Sequence, residues 1–170
     1  VGSDTLARGS EHRFQVIKVG YWSDKRKIFN YKIETEYGGY YNDGQKLTIS
    51  GNVSYRIQPW GIFSISYEFN DIKLPPVLNQ QDSLIYEAKH ANLLLIRPKI
   101  ELSFTKKLFF TTFIQYNSQT NNININSRFQ WRFKPVSDLF IVYTDNYYAE
   151  TFPEKKNRAL VVKLTYWLNL

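Results

Sequence analysis

Asn122-Ile123-Asn124-Ile125-Asn126-Ser127-Arg128-Phe129-Gln130-Trp131-Arg132-Phe133 alternates along almost its whole length. Asn122, Asn124, Asn126, Arg128, Gln130 and Arg132 fall in one set, and Ile123, Ile125, Ser127, Phe129, Trp131 and Phe133 in the other. A helix would scatter both sets around its surface, whereas an extended strand sends successive side chains to opposite faces. The stretch therefore predicts a long strand with one polar and one apolar face.

The same period of two recurs on both sides of it. Leu160, Val162, Leu164, Tyr166, Leu168 and Leu170 oppose Lys163, Thr165, Trp167 and Asn169; Leu94, Ile96, Ile100, Leu102 and Phe104 oppose Arg97, Lys99, Glu101 and Ser103. Phe63, Ile65, Tyr67 and Phe69 oppose Ser64, Ser66, Glu68 and Asn70, and Leu47, Ile49, Val53, Tyr55 and Ile57 oppose Thr48, Ser50, Asn52, Ser54 and Arg56. Phe29, Tyr31 and Ile33 oppose Asn30, Lys32, Glu34 and Glu36. Segments 12–22, 108–117 and 138–147 are strand-like but less cleanly two-faced. This predicts about nine strands, most near the ~10 residues that cross a bilayer at a tilt.

Composition agrees with strands that have an apolar exterior. Aromatic residues make up 17% of the 170 residues, with 13 Tyr, 12 Phe and 4 Trp. No apolar run approaches the ~20 residues of a spanning helix. The mean hydropathy of −0.42 is that of a soluble chain, but a sheet with one polar face lowers this average however apolar its other face is. With no Cys there is neither a disulfide framework nor a thiolate metal site. The net charge of +7 is spread along the chain, with no nucleic-acid-binding motif beside it. His, Asp and Glu show no metal-ligand spacing, and no cofactor motif is present.

Connections are expected to alternate in length. Short ones are read at Ser23–Arg26, Gln58–Gly61, Thr105–Lys107 and Pro135–Asp138; long ones at Gly38–Gly44, Asp71 to about His90, and Tyr147–Asn157. Ser118–Asn121 is short on the long side. Short turns on one rim and long loops on the other are the pattern of an outer-membrane β-barrel. The fold class expected is thus all-β, an antiparallel transmembrane barrel in the bacterial outer membrane. Residues 1–11 form an outer loop or upstream connection, and 12–170 the barrel. Trp22, Trp60, Trp131 and Trp167 fall at the short-turn rim, as an interfacial girdle would. Lys32, Glu34, Glu36, Arg56, Glu68, Arg97, Lys99, Glu101, Arg128, Arg132 and Lys163 are expected to face the lumen. The alternative is a soluble sandwich or lipocalin-like barrel, in which the apolar set is a core.

Parity adds a further expectation. Counting back from a last strand that ends at the short-turn rim, the strand at 12–22 runs the same way. A bacterial barrel normally has an even number of strands, so the chain is expected to be the C-terminal part of a larger barrel. It starts at Val1 without an initial Met and reads as a processed product or a piece of a longer precursor.

Several motifs resemble a family of outer-membrane proteins common in Bacteroidota, whose members carry an N-terminal domain like a family-nine carbohydrate-binding module followed by a β-barrel. They are Ser66-Tyr67-Glu68-Phe69-Asn70, Leu74-Pro75, Ile114-Gln115-Tyr116-Asn117-Ser118, Ile125-Asn126-Ser127-Arg128-Phe129-Gln130-Trp131, Pro135-Val136-Ser137-Asp138-Leu139-Phe140-Ile141-Val142-Tyr143 and Asn157-Arg158-Ala159-Leu160-Val161-Val162-Lys163. The resemblance spans roughly residues 45–170 and implies the barrel region alone, since no segment resembles the carbohydrate-binding module. It supplies no catalytic residues.

Three function classes follow. The first is a membrane anchor or translocation barrel, with glycan-related transport implied by the resemblance. The second is a structural subunit of a larger outer-membrane complex. The third is an outer-membrane hydrolase, for which His12 and His90, with Ser10, Glu11, Asp82 and Ser83 nearby in sequence, are the candidates. No nucleophile elbow or spaced triad accompanies them, so no catalytic residue is assigned and the chain is read as a non-enzyme. Expected partners are outer-membrane lipid, lipopolysaccharide phosphates near Lys155-Lys156, and either the upstream part of the same precursor or other outer-membrane proteins.

Overall fold

The computed structural model describes residues 13–41, 43–78 and 84–168. In chain order the strands are β1 (Val16–Trp22), β2 (Phe29–Tyr40), β3 (Gly44–Ile57), β4 (Gly61–Leu74), β5 (Val77–Leu78), β6 (Leu84–Tyr86), β7 (Lys89–Thr105), β8 (Leu108–Asn117), β9 (Asn122–Lys134), β10 (Ser137–Tyr148) and β11 (Lys155–Thr165). Nine of them form one sheet in the order β1-β2-β3-β4-β7-β8-β9-β10-β11, and β5 pairs with β6 in a separate short hairpin. Every neighbouring pair in the large sheet is antiparallel. The nine segments picked out by alternation are the nine strands of this sheet.

The sheet is not closed. β1 forms one edge and β11 the other, and the two do not pair. Because nine antiparallel strands alternate in direction, β1 and β11 run the same way. An antiparallel ladder between them is therefore impossible for geometric reasons.

Strand ends differ from expectation, mostly by extension. β2 continues through Gly38 and Gly39 to Tyr40, with Gly38 opposite Lys46 and Tyr40 opposite Gly44, so most of the expected long loop at Gly38–Gly44 is strand, and the Gly44 N–H bonds the Tyr41 carbonyl at 3.1 Å. β11 begins at Lys155, which leaves residues 149–154 as the connection. β11 stops at Thr165, where a strand had been expected through Leu170; Asn169 and Leu170 lie outside the described residues. The marked asymmetry between rims thus comes down to the β4–β7 connection, residues 75–88, which carries the β5–β6 hairpin. Leu84–Tyr86 forms β6 of that hairpin and adds no strand to the large sheet.

The turns obey local backbone chemistry. Asp43 and Asn121 adopt positive φ, at 54° and 49°, a conformation that short polar side chains tolerate. Val136 also does so, at 58°, following Pro135 in the β9–β10 turn. That position of a turn normally takes glycine, so a β-branched residue there is strained. In the β1–β2 turn the Asp24 carboxylate accepts the Arg26 backbone N–H at 2.9 Å and its guanidinium at 3.2 Å. The Arg26 side chain is the main reason this carboxyl lies below the usual carboxylate range.

Packing is that of a single layer. Among the described residues the one apolar side chain that is fully buried is Ile72, at 4% exposure. Ile17 and Val19 on β1, and Leu160, Val162 and Leu164 on β11, are all more than half exposed. The sheet holds itself together through its ladders and through cross-strand contacts such as Tyr67 over Gly51. A Cβ at Gly51 would come within 2.7 Å of the Tyr67 hydroxyl and 2.5 Å of the Lys32 carbonyl. Only glycine lets the Tyr67 ring cross the strand here.

Candidate functional site

Register assigns each side chain to a face. On one face Ile65 has Val53 and Pro98 as lateral neighbours. One row of that face runs Ile57, Gly61, Leu102, Phe110, Phe129, Ile141, Val162. The opposite face is polar. Lys32 faces Asn52, Glu34 faces Ser50, Glu36 faces Thr48, Arg56 faces Ile62, and Glu68 faces Ser50. Arg97 faces Ser66, Lys99 faces Ser64, and Glu101 faces Ile62. Arg128 faces Val142, Arg132 faces Asp138, and Lys163 faces Phe140. The pairings therefore bring all eleven residues singled out from the sequence to a single face.

That face is crossed by hydrogen bonds between strands. The Thr48 hydroxyl donates to Asn70 Oδ1 at 2.7 Å, Asn52 Nδ2 to Ser66 Oγ at 2.9 Å, and Asn126 Nδ2 to Thr144 Oγ1 at 2.9 Å. Asn124 donates to Asn146, which donates on to Asn157 at 2.5 Å. Cross-strand polar pairs of this kind specify register while keeping amides satisfied. Ion pairs join Lys32 to Glu34 at 2.5 Å, Lys99 to Glu101 at 2.9 Å, and Arg132 to Asp138 at 3.2 Å. Lys18, not anticipated from the sequence, also reaches Glu34 at 3.7 Å.

Charge is unevenly distributed along this face. Towards the rim of the β1–β2, β3–β4, β7–β8 and β9–β10 turns lie Arg56, Arg97, Lys99, Arg128, Arg132 and Lys163, against Glu101 and Asp138. Towards the other rim Glu34, Glu36 and Glu68 predominate. Arg97, Arg128 and Lys163 have no carboxylate partner among the described residues.

One polar cluster escaped the sequence reading because it lies on the apolar face. Asp145 is fully buried, opposite Ile125 on β9 and Arg158 on β11. Its Oδ2 accepts the Tyr143 and Tyr147 hydroxyls, each at 2.6 Å, and Arg158 Nε and Nη2 at 2.9 and 2.5 Å. Tyr143 and Tyr147, at i−2 and i+2, necessarily share the face of Asp145, a spacing visible in the sequence. Arg158 joins them only through the β10–β11 pairing, which carries a bulge at Asn146/Tyr147.

The tryptophans all lie towards the rim of the four turns named above, on different surfaces. Trp60 is in the β3–β4 turn, Trp131 is on the apolar face opposite Leu139, and Trp167 follows β11 with its backbone N–H on Ser137 Oγ at 3.0 Å. Trp22 belongs to the polar face, opposite Lys32, whose ammonium lies 5.8 Å from its ring. Strand parity accounts for this: Trp22 is in phase with Lys18 and Gly20, not with Val19 and Tyr21.

Of the histidines, His12 lies outside the described residues. His90 Nε2 is 2.5 Å from Asp71 Oδ1, the carboxylate that Lys73 also approaches at 3.7 Å. Asp82 and Ser83, named with it, are likewise outside the described residues. Among the described residues no group of three or more His, Cys, Asp or Glu could hold a metal ion.

No family model, no curated protein and no solved structure matches the chain. The family resemblance of its motifs therefore has no support beyond the motifs themselves.

Proposed function

We propose that this sheet is part of the wall of a transmembrane β-barrel in a bacterial outer membrane, serving as an anchor or as one side of a translocation path. The observation that carries this reading is the pairing of an extensive exposed apolar face with the near absence of a buried apolar core. Soluble monomers rarely leave contiguous apolar patches larger than a few hundred Å² open to water. Here one sheet face is predominantly apolar, interrupted by the Asp145–Arg158 cluster and by Asp71 and Lys73 near one rim, while the other is charged and amide-rich. Lipid against the first and water against the second satisfies both, as alternate residues of barrel strands do. The open edges are consistent with this only if further strands cover them, because bare backbone amides in lipid cost several kcal/mol each. Parity requires an odd number of such strands for an all-antiparallel barrel.

The test is insertion. The native protein, extracted from membranes together with whatever strands complete its sheet and reconstituted in phosphatidylcholine vesicles, is expected to float with the lipid, resist protease and show heat-modifiable migration on gels. A β-rich, monodisperse protein in detergent-free buffer would overturn the reading.

A second reading, a structural subunit of a larger outer-membrane complex, is favoured by the two free edges. It differs in the source of the completing strands. Purification under mild detergent separates the two: strands from the same polypeptide leave one band, strands from a partner leave two. Glycan-related transport enters through the motif resemblance alone.

A further inference from the structure

The polar face contains a concavity built from three adjacent strands. Ser64 and Ser66 of β4, Arg97 and Lys99 of β7, and Phe113 and Gln115 of β8 line a space of about 420 Å³, a size suited to a small polar molecule. Register makes it a continuous patch: Ser66 faces Arg97, Ser64 faces Lys99, and Lys99 faces Phe113.

Its hydrogen-bonding capacity is one-sided. Arg97 has no carboxylate partner among the described residues, so its fork of N–H donors is uncommitted by any ion pair. Ser66 Oγ accepts from Asn52 Nδ2 at 2.9 Å, which leaves its own proton available to donate. Ser64 adds a second hydroxyl and Gln115 an amide. Lys99 is held by Glu101 at 2.9 Å, which neutralises that carboxylate while leaving other ammonium protons free. Phe113 supplies an apolar wall. No carboxylate lines the space, so donors and positive charge exceed acceptors. A neutral sugar would want acceptors as well as donors, and a cation would be repelled. An oxyanion satisfies the set, and the planar guanidinium meets carboxylate or phosphate oxygens in a bidentate fork.

We propose that this concavity binds the phosphate or carboxylate group of a small polar solute, with Arg97 as the principal contact and Ser64 and Ser66 as positioning donors. The proposal rests on the geometry of the polar face and goes beyond the membrane reading, which lipid insertion decides separately.

The test uses the purified, folded full chain, in detergent if it requires one, with inorganic phosphate as probe and ³¹P line broadening as readout. Acetate competition reports whether a carboxylate shares the site. Saturable broadening is expected. Arg97→Gln should weaken it at least about tenfold, the lower end of what losing hydrogen bonds to a charged group costs. Arg97→Lys should recover part of that loss, since it keeps the charge without the fork. Arg128→Gln, which removes a cation from the same face outside the concavity, should leave affinity within about twofold. Non-saturable broadening, wild-type affinity in Arg97→Gln, or an equal loss in Arg128→Gln would each overturn the proposal, the last by reducing it to general electrostatics. Circular dichroism checks each variant's fold. If Arg97→Gln does not fold, Ser64→Ala with Ser66→Ala carries the test: weakened binding supports the site and unchanged binding refutes it.

Discussion

Placing an arginine at Ile65 measures directly what the apolar face touches. Ile65 has only Val53 and Pro98 as lateral neighbours. The nearest carboxylate along its own strand and face is Asp71, six residues away, or roughly 20 Å at about 3.3 Å per residue. A guanidinium at position 65 cannot span that distance. The short-turn rim at Gly61 is four residues off, roughly 13 Å along a tilted strand, also beyond easy snorkelling. Ile65→Arg should therefore cost about 3 kcal/mol, within the range for arginine near a bilayer midplane. Leu139→Arg, two residues into β10 from the β9–β10 turn, should cost about 0–1 kcal/mol, as near an interface. Ser50→Arg, on the polar face between Glu34 and Glu68, should be near neutral. Guanidinium unfolding of the vesicle-reconstituted protein, followed by tryptophan fluorescence, gives all three values. Equal costs at positions 65 and 139 would refute a lipid-facing belt, and a cost at 65 below about 1 kcal/mol would refute any apolar environment there.

The remaining expectations are narrower. Lipids brominated at different depths should quench Trp131 as an interfacial residue and Trp22 least of the four, because Trp22 is on the polar face; equal quenching would contradict that assignment. Asp145→Ala and Arg158→Ala should each lower the unfolding midpoint, and the double variant should be no worse than the worse single, because both remove one interaction; additive shifts would show the two residues acting independently. Val136→Gly should stabilise the protein by about 1 kcal/mol through relief of positive φ, read from the same unfolding curves; a loss would mean that the Val136 side chain packs usefully at that rim. The Asp24–Arg26 contact should persist above the ordinary carboxylate range and disappear as pH falls through the depressed Asp24 value. A carboxyl-carbon NMR titration should show that midpoint rising in Arg26→Gln, and an unmoved midpoint would remove Arg26 as its cause.

Strands and faces were legible because alternation is a local property: β9 can be read from its own residues, and so can the polar sets of β3, β4 and β7. What failed was punctuation. Gly38-Gly39 reads as a break, since paired glycines usually mark a turn. In the folded chain they lie within β2 because β1 comes very close, so that a Cβ on Gly38 would sit 2.2 Å from the Gln15 carbonyl. The same residue type serves chain reversal and close approach, and only the neighbouring strand tells which. Tyr147–Asn157 reads as one long loop, yet Lys155 already opens β11, because β10 offers the segment a ladder and Asp145 a carboxylate for Arg158. The oxyanion concavity combines both cases. Arg97, Ser64 and Ser66 were assigned to the polar face from sequence, but Phe113 and Gln115 were not, because β8 alternates poorly. Their convergence depends on two strand registers at once, which no single segment encodes. The edges make the complementary case. That β1 and β11 run in the same direction follows from counting strands, whereas what lies beside them depends on backbone outside the pairings of this chain. Under the barrel reading proposed above, that feature would call for an odd number of further strands with one lipid-compatible face.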